Sequence, residues 1–489
     1  MRSLVFGPIQ VWPSHFSEVI ELLNRCVEKD EETYFVICSG CLNSCAGNAF
    51  HDTNTCKKCV QISNYSIQNL IPKKVKIVNL EIDTTYNIKP RFVSFKAFAG
   101  QIYEELPFGR LVCSQLCDDL ASYNLTNLSK CQKDRAEELA LNCIQIYNSF
   151  KKYILNYNIS NVFSWNGRRP SDGPPLYAAK KLNRNYFSFI SGGKTRRIFI
   201  AKSLFVQDID NIKNNIDKLK KEQKKVYILN QGKAYLNQYK KGKLNQVGYF
   251  QYAGKQKTLL EKNQKKTILV ATSSPQEYIH DQRFFEFFGE KPFEKMLQFF
   301  SQQYITKKFN VILRWHPRHG RSKTGDEMRI LRLAKKTPFI QHIFPLSDIS
   351  TENLINQVDI VATFGSTIGY QAVCLGKPLI VCGPIAKIHG SSCYTANSPS
   401  ELIKILKSRI QKKPKFDVLA AACFHKNFGE KMRFIKTKKV NNSLHWFYNN
   451  EKQLLAIHPE QQEIKNKFPF LVRIKTFLKK LTSREVLNL

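Results

Sequence analysis

Two short stretches of this 489-residue chain carry side chains suited to holding a phosphate. In RWHPRHG, Arg314, His316, Arg318 and His319 crowd one turn. Guanidinium and imidazolium groups donate charge-assisted hydrogen bonds, which is what an anion needs. The plain alternative is a surface turn on a basic protein. In FGSTIGYQAVCLGKP, Gly365 lets the backbone come close to a ligand, and Ser366 or Thr367 can cap a following helix through a hydroxyl. The first turn of such a helix has free N–H groups and the positive dipole end, so it favours a phosphate. Capping alone needs no ligand, and the turn matches neither a Walker A loop nor a GxGxxG fingerprint.

A third stretch, CSGCLNSCAGNAFHDTNTCKKC, spaces its thiols as Cys38-x2-Cys41-x3-Cys45 and Cys56-x2-Cys59. Two CxxC pairs around a loop match zinc-ribbon spacing, because a tetrahedral ion takes two ligands from each tight turn. Cys38, Cys41, Cys56 and Cys59 are the expected ligands of a structural zinc, with Cys45 or His51 able to replace one of them. An iron–sulfur cluster and a set of plain reduced thiols are the alternatives. The chain has fourteen cysteines, and the remainder are expected as buried apolar residues.

The elements that position these residues alternate. SLVFGPI, TYFVICSG and KVKIVNLEI read as strands, with SHFSEVIELLNRCVEK an amphipathic helix between the first two. Residues 111–160 read as helical; NVFSWNGRR and RNYFSFISGG then end strands in polar turns. A second alternation runs through KKTILVATSSPQEY, NVILRWHPR, VDIVATFGST and PLIVCGP. Strands alternating with helices imply parallel, doubly wound sheets, whose ligands sit beyond the carboxyl ends of the strands. His316 follows one strand, where Pro317 stops the ladder, and Ser366 follows another. The expected fold class is α/β, with two Rossmann-like domains around a cleft. Their limits are 1–206 and 266–400, with a charged, solvent-facing helical connection at 207–265 and a helical basic region at 401–489.

Composition narrows the class. Hydrophobic residues make up 43% and aromatic residues 12%, enough for real cores. No apolar run reaches the roughly eighteen residues of a membrane span, and the start lacks the apolar core of a secretory signal. A cytoplasmic location is expected. The net charge of +37 suits nucleic acid, an anionic membrane or a phosphorylated substrate, but lysine is spread through the whole chain as in a lysine-biased proteome. No nucleic-acid-binding motif is present, so nucleic acid is not an expected partner.

An R-x-H-P strand end followed by a strand–GST–helix–GKP unit resembles the C-terminal domain of GT-B glycosyltransferases of the capsular polysaccharide biosynthesis type, a group similar to Kdo transferases. The resemblance implies that His316, Ser366 and Thr367 contact the donor nucleotide's phosphate, with Arg314 and Gly365 beside them. ILVATSSPQEY looks like the family's segment opening that domain, which puts Ser273, Ser274 and Glu277 near the same cleft. NVFSWNGRR looks like its Asn-Gly-Arg turn, which gives Asn166 and Arg168 acceptor-side or donor-contacting roles in the cleft. The family often has Glu-Ala where this chain has Gln371-Ala372; an amide there can hydrogen-bond a ribose hydroxyl. Where relatives often carry a Glu-Gly turn, this chain has Ser191-Gly192-Gly193.

Sugar transfer to a hydroxyl needs positive groups on the leaving phosphate and, for inversion, a base for the acceptor's proton. Base candidates are Asp172, Glu104, Glu105, Asp118 and Asp119, with Asp172 first because it follows the Asn-Gly-Arg turn; its plain alternative is a helix cap. No DxD-like set follows a strand, so no catalytic metal is implied. FPFLVRIKTFLKKLTSREV, residues 468–486 of the tail to 489, separates apolar from basic residues at helical spacing, which suits a helix lying on the anionic inner face of a membrane. A helix packed on the protein fits the same pattern. The expected activity is transfer of a sugar from a nucleotide-sugar donor to a surface polysaccharide or glycolipid. A polyol-phosphate transferase of the teichoic-acid type and a non-catalytic subunit binding sugar nucleotide or lipid are the alternatives.

Overall fold

Apolar runs buried on both faces make the centres of two parallel sheets. In a computed structural model of the chain, residues 1–240 and 264–454 are described, apart from 9–11, 43–44, 46–47, 49–50, 83–88, 121–124, 194–195, 274–278, 280, 282, 284–286, 288–291, 322–325, 346, 441–442 and 450–451. The first sheet holds β1 (Arg2–Phe6), β2 (Glu32–Ile37), β3 (Lys76–Asn79), β4 (Asn161–Trp165), β5 (Asn185–Ser191), β6 (Arg197–Ala201) and β13 (Glu430–Lys431), in the order β13-β6-β5-β4-β1-β2-β3. Every residue of β4 is buried, as expected for a strand with helices on both sides. β1 to β5 pair in parallel, whereas β6 and β13 add antiparallel edges.

The second sheet holds β7 (Lys266–Ala271), β8 (Phe309–Arg314), β9 (Ile340–Ile343), β10 (Ile360–Thr363), β11 (Leu379–Cys382) and β12 (Tyr394–Ala396). All its pairs are parallel, in the order β12-β11-β10-β7-β8-β9. Both sheets are therefore wound alike: three strands step outward one way, then the chain crosses the first strand and steps the other way. The direction reverses between β1 and β4 in the first sheet and between β7 and β10 in the second. Such switch points open a crevice at the carboxyl edge.

The helix Phe416–Asn427 carries the chain back to the first domain. It runs along the helix Lys225–Lys240, sharing a core of Ile228, Tyr235, Leu236, Leu419 and Ala422. Gly193 is needed where its far end docks: a Cβ there would lie 2.2 Å from the carbonyl oxygen of His425. The chain then pairs β13 on the edge of the first sheet. Two Rossmann-like domains joined by such a return form the GT-B arrangement.

Two expectations need correction. The 207–265 segment does begin with helices, Ile209–Glu222 and Lys225–Lys240, but it is not a solvated connection. Ile209 and Ile216 are buried in the second domain's core because its lysines fall on the opposite face. Residues 241–263 lie outside the described residues. The expected helical region 401–489 has helices at Pro399–Lys407 and Phe416–Asn427, then turns to strands. β14 (Ile435–Val440), β15 (Ser443–Tyr448) and β16 (Lys452–Gln453) form an antiparallel sheet. IKTKKV and SLHWFY mix lysine with β-branched and aromatic residues, and Lys438 Nζ lies over the Phe447 ring, 5.2 Å from its centroid, a cation–π contact between the two strands.

The helix Pro13–Glu28 anchors this sheet through charged residues on its buried face. Glu21 accepts from the backbone N–H groups of Arg433 and Phe434, both at 2.9 Å, and Arg25 reaches Glu430 and the Lys431 carbonyl. The tail 468–489 lies outside the described residues. Among the described residues no helix is long and apolar enough to cross a membrane.

Candidate functional site

The second domain's switch point gathers the expected phosphate-binding residues. In register, Thr363 of β10 stands beside Ala271 of β7, and Ala271 beside Arg314 of β8. Three strands thus end level. Beyond β7, Thr272 ties the edge together: its N–H donates to the Arg314 carbonyl at 3.1 Å, and its Oγ1 accepts the His316 N–H at 2.7 Å. Ser273 follows, 8% exposed. Ser274 and Glu277 lie outside the described residues.

Beyond β10, Gly365 takes φ +112°, a region that costs a residue with a Cβ. The turn folds on itself: Ser366 N–H donates to Thr363 Oγ1 at 3.0 Å, and Ile368 N–H to Ser366 Oγ at 3.3 Å. Of the two hydroxyls offered as a cap, Ser366 serves, and Thr367 makes no side-chain cap. The helix that follows, Ile368–Cys374, is short, so its hydroxyls and backbone matter more than its dipole. Gln371 is half-buried on it.

Arg314 is the unusual member. Its side chain is 4% exposed, and Nη1 has no hydrogen-bond partner among the described residues. Burial alone pushes its pKa down to about 10; no neighbouring carboxylate offsets that effect. A buried cation of this kind is costly unless an anion joins it. Trp315 behind it is fully buried, with Nε1 donating to His342 Nδ1 at 3.1 Å, and this sets the edge from which His316 projects. Burial lowers the His342 pKa to about 4, consistent with a neutral acceptor ring.

The first domain's candidates fare differently. Asn166 (φ +60°) and Gly167 (φ +87°) make the expected turn after β4, but it folds inward. Arg168 is 5% exposed; Nη1 donates to Ser114 Oγ and Nη2 to Asp118 Oδ2, both at 2.8 Å. Arg169 donates to the same Asp118 oxygen at 3.1 Å. Arg168 therefore clamps the helix Phe108–Leu120 rather than facing an acceptor, because a buried guanidinium needs a carboxylate. Asn166 is 3% exposed, and its backbone joins Phe189 and Val206.

Asp172 is fully buried; its Oδ1 accepts the Arg169 N–H at 3.0 Å. Burial raises its pKa to about 7, against the pull of Arg169 and Arg168. A carboxyl closed into its own turn does not reach an acceptor hydroxyl, so the expected base role does not fit its position. The other candidates are engaged as well: Glu104 by Lys151 and Tyr147, Glu105 by Lys181, Asp118 by the two arginines, and Asp119 by Arg135.

The sequence reading missed a cluster at the first switch point. Glu18, fully buried in the helix after β1, accepts from Trp165 Nε1 at 3.0 Å, from Ser191 Oγ, and from His15 Nδ1 at 3.2 Å. The available signal was a glutamate on the apolar face of an amphipathic helix. Ser191, noted above only as a departure from relatives, is one of its donors.

The cysteine stretch brings its two pairs near each other. Cys38 and Cys41 sulfurs lie 4.0 Å apart, and Cys56 and Cys59 sit in the first turns of the helix Thr53–Asn69. The Cys41 thiol and the backbone of Leu42, Gly40 and Cys41 bring the Cys38 pKa down to about 6. Burial, then Cys45, Cys38 and Cys56, push Cys59 up to about 12. Cys56 Sγ is 4.0 Å from His51 Nδ1. Among the described residues no three such side chains converge as a metal-binding group. All fourteen cysteines are free thiols. Most of those outside the stretch are buried, but Cys131 is exposed and Cys374 half-buried, against expectation.

Residues 196–398 match the family model described as capsule polysaccharide biosynthesis protein, a span that includes both the RWHPR and FGST turns. Similar solved structures include a Thermosulfurimonas dismutans KpsC, beta Kdo 2,4 transferase, at 14% identity over 54% of this chain and 79% of that one, TM-score 0.35. A Methanocaldococcus jannaschii UDP-GlcNAc 2-epimerase, solved with UDP-GlcNAc and UDP, is 11% identical over 86% of this chain and 98% of its own, TM-score 0.28. A glycosyltransferase from Rickettsia africae is 11% identical over 88% and 94%, TM-score 0.28. At these scores the likenesses carry no argument; the fold rests on the topology of the two sheets. No curated protein matches by sequence.

Proposed function

We propose that the chain is a glycosyltransferase that moves a sugar from a nucleotide-sugar donor to a surface polysaccharide or glycolipid acceptor. The observation that carries this reading is Arg314, a buried cation without a described counter-ion, at the carboxyl edge beside the switch point of the second domain. The family match over 196–398 supports the polysaccharide context.

In this reading the donor phosphate lies over the ends of β8, β7 and β10. Arg314 and His316 supply positive charge. Ser366 still has its O–H to donate, since its oxygen is the acceptor in the cap. Thr367 adds a second hydroxyl and Gln371 an amide for the ribose, with Ser273 along the same edge; Ser274 and Glu277 stay candidates on sequence alone. Charge grows on the phosphate as the glycosidic bond breaks, so donors fixed there in advance lower the barrier. His316→Ala and Ser366→Ala should each abolish transfer while the protein stays folded; unchanged turnover of both variants sinks the site.

The cysteine stretch is proposed to take a structural zinc ion on Cys38, Cys41, Cys56 and Cys59. Its donor set suits zinc, and backbone groups already turn to the Cys38 sulfur. The two pairs must draw together to close four ligands round one ion. The tail 468–489 is proposed to rest on the anionic inner face of the membrane, on its sequence pattern alone.

A further inference from the structure

We propose that His15 is the group that takes the acceptor's proton, with Glu18 as its positioning partner, at the switch point of the first domain. The inference rests on the glycosyl-transfer reading above and adds the half of the chemistry which that reading leaves without a residue.

The place is set by topology. The winding reverses between β1 and β4, so the chain ends leaving these two strands border the crevice. Trp12, His15 and Glu18 follow β1, and Trp165 ends β4. The imidazole of His15 packs against both indoles in a three-ring cluster, its ring centroid 5.9 Å from Trp12 and 5.0 Å from Trp165, with the two indoles 6.3 Å from each other. The two indoles and the bond to Glu18 hold the ring from one side, and aromatic faces also suit the apolar face of a sugar.

The chemistry is set by Glu18. The side chain of Glu18 is fully buried, while that of His15 keeps 25% exposure. A buried carboxylate facing Nδ1 selects the tautomer with the proton on Nδ1, which leaves the Nε2 lone pair free to accept. Trp165 Nε1 and Ser191 Oγ donate to the same carboxylate, so with His15 three groups hold it in place. Arg169 also borders the cluster, its guanidinium 5.3 Å from the Trp165 ring centroid. An inward carboxylate, a confined imidazole and an open ring nitrogen together make a general base.

The dyad is linked to the phosphate edge by a short path. Ser191, which holds Glu18, is followed by Gly193, which packs against the His425 backbone. His425 Nε2 pairs with the Tyr370 hydroxyl at 3.1 Å, one turn beyond Ser366. In the reaction, the acceptor O–H gives its proton to His15 Nε2. The acceptor oxygen forms the new bond to the anomeric carbon, and the electron pair of the old bond leaves on the donor phosphate.

The test compares wild type, His15→Phe, His15→Gln, Glu18→Gln and Glu18→Asp for transfer and for nucleotide binding. A phenyl ring can pack against the same two indoles, so His15→Phe guards against a folding artefact. Expected are a loss of kcat of roughly 100-fold or more for both His15 variants, with nucleotide Kd within about threefold of wild type. Glu18→Gln should lower kcat while nucleotide Kd stays within about threefold of wild type, because an amide N–H facing Nδ1 selects the other tautomer, and Glu18→Asp should recover part of the loss. Wild-type turnover in both His15 variants overturns the assignment while leaving the donor site intact. Wild-type kcat in Glu18→Gln removes the positioning role. Absence of nucleotide binding and transfer in wild type overturns the underlying reading, and this inference with it.

Discussion

Arg314 and Thr363 stand level on either side of Ala271, one closing β8 and the other β10. Two strand spacings separate them, roughly 10 Å across the sheet. A buried guanidinium thus faces the same edge as a hydroxyl-rich turn, and a phosphate-bearing ligand laid across β7 meets both. The first domain repeats the arrangement at its own switch point with His15, Glu18 and Trp165.

Asp172 gives a prediction that separates structure from catalysis. It is buried, and its Oδ1 accepts a backbone N–H that an amide oxygen also accepts. Asp172→Asn should retain at least about a third of wild-type kcat, and should be as stable or more stable above pH 7, where the native carboxyl must ionise in a buried place. A folded Asp172→Asn protein with a 100-fold lower kcat would return the base role to this residue.

Stability should fall as the solution is acidified from pH 6.5 toward 4. Burial lowers His342, His389 and His425 from 6.5 to about 4, so the unfolded chain takes up their protons first and each histidine's contribution is lost as pH falls. Asp172 works the other way: its folded pKa is about 7 against 3.8 unfolded, so it gains stability as pH falls through 7. Three groups outweigh one, and near pH 5 the net slope from these groups is on the order of 2 kcal/mol per pH unit. Urea midpoints at pH 7 and pH 5 check this; a midpoint that is flat or rises on acidification contradicts it.

The strands of both domains were readable because parallel strands covered on two faces need continuous apolar runs, as in VDIVAT and NVILRW. Their ends were readable too, since Pro317 and Gly365 break the pattern at the carboxyl edge of the sheet. Residues 435–448 were not: lysines at Lys436, Lys438 and Lys439 masked a period of two and suggested a basic helix. Arg168 looked free because the partner that consumes it, Asp118, lies on a helix distant in sequence. His15 and Glu18 were read only as part of an amphipathic helix, since a single helix pattern does not reveal that Trp165 and Ser191 converge on the same carboxylate.

The cysteine stretch predicts metal. Purified protein should carry about one zinc per chain by elemental analysis, and a strong chelator should lower its melting temperature. Cys38→Ser should lose that metal. A metal-free protein that melts at the same temperature with and without added zinc rules the site out.

The most direct test of the donor site is the melting temperature of Arg314→Met, with and without CMP-, UDP-, GDP- and CDP-linked sugars. A ligand that binds the folded state raises the wild-type melting point. If Arg314 is a buried cation kept for a phosphate, the apolar variant should melt at or above wild type without ligand, gaining up to about 1–3 kcal/mol from the removed burial cost, and should lose the nucleotide-induced rise. An Arg314→Met protein that is strongly destabilised yet keeps the full nucleotide-induced rise would contradict the assignment.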